Sequence, residues 1–169
     1  FAIFARLPLP LLPIHILWIN LVTETIPALG LVKEKHKDVM YSNPRINDGL
    51  LRGIFFYVLI GALILFGVEL TTFLTGLNKT YSIEKTRTLV LTVSVLFQLF
   101  FVFTVRSKRK LTEIGLFSNK TIWYMFFIAL GLQLILIYTP IAIVFNLAPL
   151  SLIDWLLILP LSLTGLVVF

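Results

Sequence analysis

The 169 residues are 59% hydrophobic and 13% charged, with a mean hydropathy of +1.01, which places the chain among membrane proteins rather than soluble domains. Its net charge of +6 does not indicate nucleic acid, because the basic residues sit in short connectors between apolar runs and not on a continuous surface. The absence of cysteine excludes disulfides, thiolate metal sites and cysteine nucleophiles, and two distant histidines, His15 and His36, give no support to zinc or hydrolytic chemistry.

In chain order, residues 1–5 read as the last turn of a preceding membrane helix, and the apolar ends Phe1 and Phe169 read as those of a piece of a longer protein. Pro8, Pro10 and Pro13 recur too closely for a helix and predict a tight apolar turn at a membrane face. Ile14 to about Leu31 is long enough to span, given that a span needs about 20 residues, with Pro27 as a break. A polar connector follows from Lys33 to Asp48. Further spans are predicted at 50–74, 86–105, 121–139 and 154–169, the last interrupted by Pro160. The fold class is therefore all-α, a polytopic transmembrane bundle of about five spans forming one carboxy-terminal transmembrane unit over 1–169. Lys33, Lys35, Lys37, Arg45 and Arg52 fall on the same side as Arg106, Lys108, Arg109, Lys110 and Lys120, against Lys79, Lys85 and Arg87 opposite. The positive-inside rule then makes loops 32–49 and 106–120 cytoplasmic and runs the first span from outside to cytoplasm.

The first span is the unusual one. On an α-helix Asn20, Thr23 and Glu24 stand at i, i+3 and i+4 and share a face, while Pro27 takes away the N–H that would have met the carbonyl of Thr23. An ionisable residue within a membrane helix marks an ion pathway, and an amide, a carboxylate and a released backbone oxygen are part of the oxygen set that a hard cation such as Ca²⁺ requires. They do not complete it, so other helices must contribute. Gln98, midway along the third span, offers either a further ligand or an interhelical hydrogen bond. Glu69 reads as a snorkelling or vestibule residue, Gln133 and Thr139 as packing or interfacial groups, and Asp154, Trp155 and His15 as interfacial.

Pro8-Leu9-Pro10 and Pro13, then Leu17-Trp18-Ile19-Asn20-Leu21-Val22-Thr23-Glu24 with Pro27-Ala28, resemble the sixth transmembrane helix of type II P-type cation pumps of the calcium-ATPase group. Lys37-Asp38-Val39-Met40 and Asn43-Pro44-Arg45 are similar to that family's following cytoplasmic loop, and the remaining topology fits helices six to ten. The resemblance implies an ATP-driven pump whose cation ligands on these helices are Asn20, Thr23, Glu24 and Gln98, with Ca²⁺ as the transported cation. Glu24 stands where the family usually has Asp, and Gln98 where sarcoplasmic-type pumps have Glu; both departures count against binding of two ions. The sequence contains no D-K-T-G-T phosphorylation motif, so ATP and Mg²⁺ would act only through domains outside this chain. It would not be an active enzyme by itself. Its partners would be the lipid bilayer, the upstream helices and the cytosolic domains of the parent pump. The residues alone leave open a stand-alone channel or secondary transporter, or a non-transporting scaffold subunit.

Overall fold

The described residues form one broken helix, five further α-helices and a closing 3₁₀ turn. The computed structural model describes residues 2–31, 55–105 and 120–166. In order these form α1 (Pro13–Ile19), a π turn (Asn20–Thr25), α2 (Ile26–Leu31), α3 (Phe55–Asn78), α4 (Ile83–Val105), α5 (Lys120–Tyr138), the short α6 (Ile141–Val144), α7 (Leu152–Leu163) and a 3₁₀ turn (Thr164–Leu166). Among the described residues, three stretches are long and apolar enough to cross a membrane: Val58–Asn78, Ile83–Thr104 and Lys120–Tyr138. Of the about five spans expected, three correspond to these continuous rods; the first helix is broken and α7 is a shorter apolar helix. The start of the second expected span, His36, both basic loops and the expected extent of the last span beyond Leu166 lie outside the described residues.

Helix α4 is the least apolar of the three long helices, its most apolar 18-residue stretch having a mean hydropathy of 1.8 against 2.1 and 1.9, yet 72% of that stretch is buried against 22% in α3 and 33% in α5. That inversion follows from the solvent. Lipid receives Leu63, Phe66 and Ile135 without penalty, so these point outward, and the helix that carries hydroxyls moves inside, where small side chains let backbones approach. Thr88, Thr92 and Ser94 on α4 are fully buried. Each hydroxyl can bond the carbonyl four residues back, at 2.8, 2.7 and 2.8 Å respectively, so none is left unsatisfied in an apolar interior. Around α4 pack α3, α5, α7, the 3₁₀ turn, α1 and the π turn.

Three helical turns end alike. Arg6, Thr80 and Asn146 adopt positive φ of 53°, 54° and 51°. Each donates its N–H to the carbonyl three residues back, and the next residue donates to the carbonyl five back: Leu7 to Ala2 at 2.9 Å, Tyr81 to Gly76 at 3.2 Å and Leu147 to Ala142 at 2.9 Å. This is the Schellman pattern, in which glycine is the usual residue at the left-handed position. Here it is built without glycine.

Asp154, expected as an interfacial anchor at the entry of the last span, is a buried and paired residue. It is 3% exposed, accepts from the Ser151 N–H and hydroxyl at 2.8 and 2.7 Å, and pairs with Lys85 at 2.9 Å. The Lys85 ammonium also sits 4.0 Å from the Tyr81 ring centre, so the start of α7 is fastened to the start of α4. His15, likewise expected at an interface, is fully buried.

Candidate functional site

The segment from Asn20 to Thr25 winds as a π turn, and this changes the expected geometry. In an i→i+5 register the carbonyl deprived of a donor by Pro27 is that of Val22, whereas α geometry gives that of Thr23. The wider turn also spreads the three polar side chains. Thr23 is buried, while Asn20 and Glu24 are exposed, so the three do not converge on one point within the described residues. The structure brings together Thr23 and Gln98: the Thr23 hydroxyl lies 2.8 Å from Gln98 Oε1 and 2.8 Å from the Ile19 carbonyl. One hydroxyl proton cannot serve both acceptors at once. The bond to Ile19, four residues back, ties the hydroxyl into the turn itself, a contact that bends helices.

The half of the broken helix before the π turn is held by two long-range ties. The Leu12 N–H donates to His15 Nδ1 at 3.1 Å, which fixes Nδ1 as the acceptor and Nε2 as the protonated nitrogen. Nε2–H then donates to the Phe145 carbonyl at 2.7 Å, 130 residues away. One turn on, Trp18 Nε1–H donates to Gln133 Oε1 at 2.8 Å, and Gln133 Nε2 donates to Thr92 Oγ1 at 3.3 Å. Indole nitrogen can only donate, so the orientation of the Gln133 amide is determined by its partner. Phe145 meets Trp18 edge to face at 5.7 Å and stacks parallel to His15 at 6.5 Å. The N–H of Ala148, in the same loop, donates to Thr88 Oγ1 at 2.9 Å.

Glu69 lies apart from this constellation. Its carboxyl group lies 2.5 Å from the Ser94 hydroxyl, whose one proton can go either to it or to the Val90 carbonyl, and it lines a cavity of about 250 Å³ between the proline-rich turn and α3, with Leu9, Leu11, Phe66 and Phe73 among the walls. Among the described residues no cluster of three His, Asp or Glu is placed to hold a metal ion. The π turn thus offers a carboxylate and an amide on its exposed side and a hydroxyl beside a second amide on its buried side. These are hard-cation ligands in incomplete number. Sequence reasoning missed the two ties: Gln133 reads as packing and His15 as interfacial, because the partners of both are more than a hundred positions distant.

A family described as "Cation transporting ATPase, C-terminus" matches residues 8–169. Among relatives, the chain is similar to "Calcium-transporting ATPase 1" of Bacillus cereus, 36% identical over 179 residues that cover 94% of this chain and 20% of that protein. It is 30% identical to the "Calcium-transporting ATPase" of Bacillus subtilis, over 96% of this chain and 19% of that protein. It is 35% identical to "Calcium-transporting ATPase type 2C member 2" of Rattus norvegicus, over 90% of this chain and 17% of that protein. The chain therefore spans about a fifth of the length of these relatives.

Proposed function

Since the chain belongs to the family of cation-transporting ATPase carboxy-terminal regions, we propose that it supplies part of an intramembrane Ca²⁺ site in an ATP-driven pump. Asn20, Thr23, Glu24 and Gln98 are its ligands in this reading. The observation that carries it is the π turn, which sends Asn20 and Glu24 away from the described bundle while keeping Thr23 against Gln98. In a membrane, a carboxylate turned away from its own bundle needs another partner, and the upstream helices of a full-length pump would provide the remaining oxygens. Glu24 supplies the charge; the Asn20 amide oxygen, the Gln98 amide oxygen and a carbonyl left without a donor supply neutral ligands. Phosphorylation of a cytosolic domain in the full-length protein would tilt the helices and open this site alternately to each side. One carboxylate among these four residues fits the carriage of a single ion.

The test is Glu24→Gln in the full-length protein, which keeps size and removes charge. Ca²⁺-stimulated ATP turnover should be abolished and the elution profile in detergent unchanged. A variant that retains the wild-type dependence on Ca²⁺ would remove Glu24 from the site. Turnover of the wild type stimulated by Mn²⁺ or a monovalent ion and not by Ca²⁺ would replace the ion while keeping the pump.

A further inference from the structure

Two residues along an α-helix are about 200° apart in rotation, so the direction of Trp18 sets the direction of Asn20. Trp18 points into the bundle, where its indole N–H meets Gln133 Oε1, and Asn20 accordingly points out. Gln133 is fully buried, and its two ends are both engaged: the oxygen by α1, the nitrogen by Thr92 of α4. Thr92 in turn donates to the Thr88 carbonyl at 2.7 Å. A single amide thus joins the broken helix to the most buried helix of the bundle by way of α5, and its atoms admit only one arrangement. Rotation of α1 would break the indole bond and leave a buried amide oxygen unpaired in an apolar interior.

We infer that Gln133 is a positioning residue: through Trp18 it fixes the rotation of α1 and thereby the direction in which Asn20 and Glu24 leave the π turn. His15, one turn earlier, holds the same half of the helix to the loop after α6 through the Phe145 carbonyl, so the π turn begins from a helix tied at two successive turns. This rests on the reading of Asn20 and Glu24 as ligands. Its consequence is specific: loosening the tie lowers cation affinity without impairing the machinery that cleaves ATP.

The experiment uses the full-length protein labelled with 5-fluorotryptophan, the Trp18 resonance being assigned by its disappearance in Trp18→Phe. Gln133→Met, close in shape and unable to accept the indole bond, should shift the Trp18 resonance. The Ca²⁺ concentration for half-maximal ATP turnover should rise roughly three- to tenfold, the range that one interhelical hydrogen bond in a membrane corresponds to, with maximal turnover within about twofold of wild type. Trp18→Phe should produce the same rise, and the double variant should be no worse than either single one. An unmoved resonance, additive effects in the double variant, or a fall in maximal turnover with unchanged half-activation would overturn the assignment. Should Gln133→Met fail to fold, Trp18→Phe measured alone decides by the same affinity shift. If no cation activates ATP turnover of the wild type, the pump reading fails, while the resonance shift still reports whether the tie exists; if another cation replaces Ca²⁺, the same half-activation shift is read with that ion.

Discussion

His15 shows how one buried side chain can be fully specified by its neighbours. Its ring accepts from one backbone and donates to another, so it serves as a neutral bridge with both nitrogens in use. His15→Leu leaves the Leu12 N–H and the Phe145 carbonyl without that bridge and should cost about 1–3 kcal/mol. His15→Gln, which keeps one donor and one acceptor, should recover most of that loss. Thermal unfolding of the two variants in detergent checks the difference, and equal losses would mean that packing against Phe145, rather than the bonds, holds the ring. The residues legible in the sequence at this scale were those whose chemistry is improbable in lipid: Glu24, Asn20 and Gln98. The partners of His15, Trp18 and Gln98 were not legible, because a hydrogen bond spanning 75 to 130 positions leaves no local periodicity.

Between elements, close approach decides which positions tolerate change. A Cβ placed on Gly165 would lie 2.6 Å from the carbonyl oxygen of Phe97 and 3.3 Å from the Phe101 nitrogen, so the 3₁₀ turn rests directly on the backbone of α4. Gly165→Ala should therefore destabilise by about 1–3 kcal/mol through overpacking. Gly131, on α5, has nothing within 4 Å of its added Cβ, and Gly131→Ala should be neutral or stabilising by up to about 1 kcal/mol. The pair, compared by thermal shift in one detergent, separates contact from propensity. Thr80 makes a complementary case. A β-branched residue at a φ of 54° is strained, and Thr80→Gly should raise stability by about 1 kcal/mol; a loss would show that the threonine side chain contributes more than its backbone costs. No glycine marks these helix ends, so their Schellman geometry was invisible in the sequence.

For the whole molecule, the distribution of basic residues sets the sidedness. Because the chain has no cysteine, single cysteines can be introduced into it as reporters. Lys79→Cys should react with a membrane-impermeant maleimide from outside intact cells, and Arg109→Cys only after the membrane is opened. Reaction of both from the same side would overturn the topology. The bundle that carries this topology differs from a soluble domain in its apolar outer surface. Its interior holds Thr88, Thr92, Ser94 and Gln133 among apolar side chains such as Leu91, Phe97 and Leu136, and its surface holds Leu63, Phe66, Leu152 and Leu156. Interior packing in lipid is therefore maintained by fit and by satisfied hydroxyls, since moving an apolar side chain from lipid to protein gains little.

The sequence by itself determined the all-helical membrane class, the presence of long apolar helices and the existence of a polar break before Pro27. Those features depend on composition, on run length and on a proline that cannot donate, all of them local. Tertiary structure decided which rod is central: hydropathies of 1.8, 1.9 and 2.1 mark all three as spans, and only burial shows that the rod of 1.8 lies inside. It also decided that the break is wound as a π turn, that Thr23 rather than Glu24 meets Gln98, and that Trp18 is held by Gln133. Each of these depends on how far one helix is rotated against another. Rotation is fixed by side chains that meet across the bundle, and such contacts are written in no single stretch of sequence.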